Sequence, residues 1–177
     1  MSSTTPDAGS ASASDAVPTS ATVPASLTAP GYHSVTPYLI VNGASAAIDF
    51  YRQAFGAEEV MRLPGPHGKL WHAEIQIGNA RVMLADEYPE MGFTSPQTLG
   101  GSGVSLLVYV DKVDQIFAQA LAAGAMQLRA VQDQFYGDRS GMLRDPFGHV
   151  WSIATHLEDL STEEICRRSQ NFLKRCG

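Results

Sequence analysis

The strongest constraint on this chain is an order of elements that occurs twice. Ser34–Val41 reads as a strand restricted by Pro37, and Ala44–Phe55 as a helix with Ala47, Ile48, Tyr51 and Phe55 on one stripe and Gly56 as its stop. Strands follow at Glu58–Leu63, Lys69–Ile77 and Ala80–Asp86, separated by a Pro/Gly turn and by Gly78-Asn79. The second pass runs Val104–Val110, a helix from Asp111 to Gly124, then strands at Met126–Val131, Gly141–Arg144 and Val150–Thr155. Asp111 is the expected N-cap, with Asp114 three residues on. Val41 falls on Val110, Gly56 on Gly124 and Leu84 on Ser152, a period of 68 or 69 residues. An internal repeat of this kind fixes the architecture more firmly than any single element. The expected fold class is α+β, built from tandem βαβββ modules.

The modules span 34–86 and 104–156 within a body of 31–157, and 87–103 joins them as either a linker or a lid. Residues 1–30 stand apart. Of these thirty, 23 are Ser, Ala, Thr or Pro and none is Lys or Arg, so the segment has little to bury and is expected to be a disordered tail. It lacks the basic start and apolar core of a secretory signal and the Arg content of a transit peptide. Beyond the body, residues 158–177 form an appended C-terminal helix, opened by the capping box Ser161-Thr162-Glu163-Glu164 and carrying a thin stripe of Ile165, Phe172 and Leu173.

Charge and cysteine narrow the function classes. A net charge of −6 speaks against phosphate-backbone binding, so no nucleic-acid partner is expected. No run approaches about 20 apolar residues, which removes a membrane span. Cys166 and Cys176 have neither disulfide-framework nor zinc spacing, which fits a cytoplasmic, reducing compartment. The signatures HExxH, GxSxG, GxGxxG and Walker A do not occur.

The segments "PYLIVNGASAAIDFYRQAFGAEE", "HAEIQIGNARVMLADE" and "FYGDRSGMLRDPFGHVW", in this order and separation, resemble the vicinal oxygen chelate superfamily and in particular its PhnB-like, glyoxalase/bleomycin-resistance-like subgroup. The resemblance covers roughly 34–156 and implies side-by-side modules forming a curved mixed sheet around a small-molecule cleft, helices outside, and a homodimer. Metal-dependent members carry His, Gln or Glu at strand positions that fall here on Thr36, Leu84, Ser105 and Ser152. None of these residue types suits zinc, nickel or manganese, so neither metal nor other cofactor is expected.

The polar side of the third strand, His72, Glu74 and Gln76, is turned to the cleft by the same resemblance. It reads either as a solvated strand face or as hydrogen-bonding contacts for a ligand. Tyr38, Leu84, Leu107 and Tyr109 are the expected apolar and aromatic walls. Arg139, beside Asp138 in a Gly-flanked loop, reads as turn chemistry or as a fork for a ligand carboxylate or phosphate. Asp145–Gly148 is a turn, and His67 and His149 belong to turns. Two functions fit: a protein that binds a small organic ligand without the usual metal, or a lyase, isomerase or dioxygenase. The enzyme would use a metal displaced onto His72, Glu74 and Asp86, or His72 and Glu74 as acid and base.

Overall fold

The computed structural model describes residues 28–176, so most of the segment 1–30, with its expected disorder, lies outside the described residues. Its elements are β1 (Tyr38–Val41), α1 (Ala44–Phe55), β2 (Glu58–Pro64), β3 (Leu70–Ile77), β4 (Ala80–Asp86), a short α2 (Pro96–Leu99), β5 (Ser105–Tyr109), α3 (Val113–Ala122), β6 (Met126–Asp133), β7 (Asp138–Arg144), β8 (Val150–His156) and α4 (Thr162–Cys176). The repeat is therefore real at the level of topology. Each module is a four-stranded mixed sheet, ordered β1-β4-β3-β2 and β5-β8-β7-β6, with the first strand of each parallel to the last.

Burial follows strand parity. Ala73, Ile75 and Ile77 of β3, Val82 and Leu84 of β4 and Leu39 and Val41 of β1 are buried beneath α1. Leu143, Trp151 and Ile153 are their counterparts in the second module. Gly141 of β7 has no side chain because Phe117 of α3 sits there; a β-carbon would stand 2.8 Å from its ring.

Helices α1 and α3 begin without a side-chain cap of their own. The carboxylate of Asp86, at the end of β4, instead accepts from the amides of Gly43 (2.8 Å) and Ala44 (2.9 Å), while Thr155 of β8 accepts from Val113 (3.0 Å). Asp111 does not cap α3, contrary to the local pattern; the cap arrives from a distant strand.

The modules meet through α1 and α3, whose facing residues Ala47, Ala54 and Ala120 are small and fully buried. Phe50, Tyr51 and Phe55 pack on Phe147 and Trp151, with Phe55 and Trp151 centroids 4.9 Å apart. Asp145 anchors this contact. One carboxylate oxygen accepts from the amides of Phe147 and His149 (both 2.9 Å) and holds the expected turn. The other accepts from Tyr51 Oη (2.7 Å) and Trp151 Nε1 (3.0 Å) and ties the turn to the first module. Buried beside this charge, the Tyr51 hydroxyl has its pKa pushed well above the usual 10, by burial first and then by Asp145.

Helix α4 packs back on the second module through Phe172 against Phe135, centroids 5.4 Å apart, and through Arg168, which bonds both Glu158 and Glu164. Ser161 Oγ accepts from the Glu164 amide as the capping box requires. The Glu164 side chain turns instead to Arg167 and Arg168, which hold its pKa down at about 2. The Leu173 side chain lies outside the described residues.

Replacing Tyr51 by Phe is expected to cost about 1.5–3 kcal/mol at neutral pH, the worth of a hydrogen bond to a buried charge. Because the folded-state pKa of Tyr51 is raised, this contribution is fully present below pH 10 and is lost as pH rises beyond it. Denaturant melts of wild type and Tyr51→Phe at neutral and strongly alkaline pH check both magnitude and sign. Removing 158–177 uncovers Phe135 and is expected to destabilise by about 1–3 kcal/mol, read from the same melts.

Candidate functional site

Each sheet buries one face on the helices and leaves the other outward, and the outward faces gather most of the residues singled out by sequence. In the first module, β3 turns His72, Glu74 and Gln76 outward. In register beside them lie Tyr38 of β1 and Arg81 and Met83 of β4. Tyr38 Oη lies 3.2 Å from His72 Nδ1, and His72 Nε2 lies 3.2 Å from Glu74 Oε1. With Nε2 as the donor to the carboxylate, a neutral imidazole leaves Nδ1 to accept from the tyrosine.

Tyr32, ahead of β1, lies close enough to Glu74 for the two to shift each other's pKa. The Tyr32 hydroxyl, burial-opposed, and then His72 hold the Glu74 carboxyl below the usual carboxylate range, while Glu74 raises Tyr32 in turn. Burial raises Tyr38. Arg81 lies under Gly31, with Nε and Nη1 buried and without a hydrogen-bond partner among the described residues. Gln76 gives its amide to the carbonyl of Gly78 in its own hairpin (2.8 Å).

The second module presents Ser105, Leu107 and Tyr109 of β5 and, in register, Ser152 of β8 with Met142 of β7. Asp138 is buried among them. It accepts from Tyr109 Oη (2.9 Å), and its other oxygen meets His156 Nδ1 at 2.8 Å. His156 Nε2 reaches Asp159 at 3.0 Å, and the two carboxylates, Asp138 first, raise its pKa.

Three expected site residues lie elsewhere. Leu84 is fully buried and helix-facing, because Tyr38 pairs with Met83 and Leu107 with Ser152. The repeat across these strands is 69 residues, so the counterpart of Ser152 is Met83; a one-residue slip moves a side chain to the other face. Asp86 is spent on helix amides, its second oxygen accepting from Leu70 N at 2.7 Å. Arg139 sits within β7 rather than in a loop, on the helix side, where Asp114 and Asp133 hold it at 2.8 Å and keep its pKa raised. Thr36 precedes β1 and bonds the carbonyl of His33. Of the residues the sequence did not single out, Met83 was readable from parity, whereas Tyr32, Arg81 and His156 join their networks only through tertiary placement.

A model of the glyoxalase/bleomycin resistance protein/dioxygenase superfamily matches residues 31–153. An uncharacterised protein of Mycobacterium bovis is 44% identical over 135 residues, which cover 75% of this chain and 89% of that one. Among solved structures, a Pseudomonas aeruginosa protein aligns with a TM-score of 0.58 at 26% identity, covering 70% of this chain and 98% of its own. The PhnB protein from Bacillus cereus has the same fold, with a TM-score of 0.55 at 23% identity over 70% of this chain and 99% of its own.

The Tyr32 hydroxyl is the leading cause of the low Glu74 pKa, so Tyr32→Phe is expected to move that carboxyl back toward its ordinary value. A carboxyl-detected NMR titration of wild type and variant reads the shift; an unchanged midpoint would exclude the contact.

Proposed function

Because the chain belongs to the glyoxalase/bleomycin resistance protein/dioxygenase superfamily, we propose that its outward sheet faces bind a small organic molecule, in a cleft completed by a second copy of the chain. The observation that carries this reading is the Tyr38–His72–Glu74 chain, a preorganised polar strip set in an apolar surround. Leu63, Leu107 and Tyr109 are each about half exposed, more apolar area than a finished surface leaves to water. A homodimer that covers them also encloses the strip. No described helix is long and apolar enough to cross a membrane, and exposed, unpaired Cys166 suits the reducing cytoplasm.

The site works without a metal in this reading. The outward positions Met83, Ser105 and Ser152, with Thr36 just ahead of β1, stand where the resemblance puts metal ligands, and three hydroxyls and a thioether are a donor set that does not fit zinc, nickel or manganese. No step is therefore routed through one. A second reading, proton transfer in a lyase or isomerase reaction, is favoured by the His72–Glu74 contact. Glu74 would orient the imidazole and stabilise it when protonated, leaving Nδ1 to exchange a proton with substrate in place of Tyr38.

Purified protein incubated with zinc, nickel or manganese and then desalted is expected to carry well under one ion per chain by elemental analysis. One tightly held ion would overturn the metal-free reading. Sedimentation is expected to show a dimer that Leu107→Lys converts to monomer. Once a ligand is found by screening, His72→Ala should weaken it by about 1–3 kcal/mol with little change in melting temperature. If it alters catalysis but not affinity, the second reading takes over.

A further inference from the structure

The connection after β4 is tightly built. Glu87 accepts from the Ser95 amide (3.0 Å) and the Thr98 hydroxyl (2.8 Å), and Tyr88 and Phe93 pair across a four-residue turn through backbone bonds of 2.8 and 3.2 Å. This hairpin sets Phe93 at the end of β1 and β3, where a cavity of about 80 Å³ is lined by Tyr38, Trp71, Ala85, Asp86, Tyr88 and Phe93. Tyr88 is buried, its hydroxyl tucked under Gly65, where a β-carbon would stand 2.7 Å away. The other three rings are 43–45% exposed. Rings held open to water around one small cavity are a recognition feature rather than packing.

Shape and charge select the occupant. Trp71 and Tyr88 touch, with centroids 5.0 Å apart and planes inclined by 58°, so they meet as two angled walls rather than as a parallel slot for a flat ring. Ring faces carry negative electrostatic potential. Asp86 lies on the wall, and after burial itself the charges of Asp86 and Glu90 raise the Tyr88 pKa, marking the potential there as negative. The molecule already sets one cation on these rings: Lys69 Nζ stands 4.7 Å from the Tyr88 centroid while donating to the Glu87 carbonyl at 2.7 Å. A primary ammonium needs such acceptors, and the walls left open are mainly apolar. A methylated ammonium, weakly hydrated and without that need, fits them.

We propose that Tyr38, Trp71, Tyr88 and Phe93 form an aromatic cage for the quaternary or trimethylated ammonium group of a small molecule. The cage lies within one chain and shares only Tyr38 with the strip described above, so it stands whether or not that strip binds a ligand.

Calorimetric titration with tetramethylammonium chloride tests it, with neopentyl alcohol as the uncharged isostere and quinoline as a flat aromatic. Saturable binding of tetramethylammonium, about tenfold or more tighter than neopentyl alcohol, is expected. Trp71→Ala and Phe93→Ala should each weaken it severalfold, and Trp71→Phe, which keeps a ring face and guards against misfolding of the alanine variant, should retain most of it. Equal affinity for the neutral isostere, preference for quinoline, no saturable binding at tens of millimolar, or unchanged binding in both alanine variants would overturn the cage.

Discussion

The carboxylate of Asp145 is the point on which the two modules depend. It is buried, and it meets four donors: two backbone amides that shape its own turn, the Trp151 indole and the Tyr51 hydroxyl. A charge taken out of water is tolerable only when its lone pairs are met. Here that requirement couples a local turn to a tyrosine 94 residues away. The Asp-Pro-Phe-Gly motif thus acts on packing between modules, and its aromatic surround excludes the water that would weaken it.

With the helices held together at the centre, the sheets can only present their opposite faces outward. That division explains the allocation of polar residues. Those on the helix side (Asp86, Arg139, Thr155) are consumed by caps and ion pairs, whereas on the outer side Tyr38, His72 and Glu74, and Tyr109, Asp138 and His156, are linked into short chains. The two outer chains differ in chemistry. Histidine is centred between tyrosine and glutamate in the first module, and aspartate between tyrosine and histidine in the second. The repeat preserves the scaffold and lets its two faces diverge.

The sequence made the scaffold legible because its signals are local and periodic: the stripe of α1, the alternation of β3 and the glycine stops fall where the elements begin and end. Outward placement of His72 and Glu74 followed from the same alternation. Leu84 failed for a specific reason. Its strand is apolar on both faces, so nothing in it marks the register, and aligning it by repeat length alone misses by one residue. Arg139 and Asp86 resembled binding groups because their partners, Asp114 and the amides of Gly43 and Ala44, are distant in sequence. The aromatic grouping of Tyr38, Trp71, Tyr88 and Phe93 was equally invisible, being assembled from two strands and a hairpin.

The long-range helix caps bear on how the chain is made. Asp86 reaches Ala44 across 42 residues, and Thr155 reaches Val113 across the same 42. During synthesis α1 and α3 each leave the ribosome with their first amides unanswered, and the acceptor arrives only with the final strand of the module. Neither half-module contains the means to close its own helix, so each unit of the repeat is also a unit of commitment: the nascent chain waits the same interval twice, and the second wait ends a few residues after the turn that joins both units.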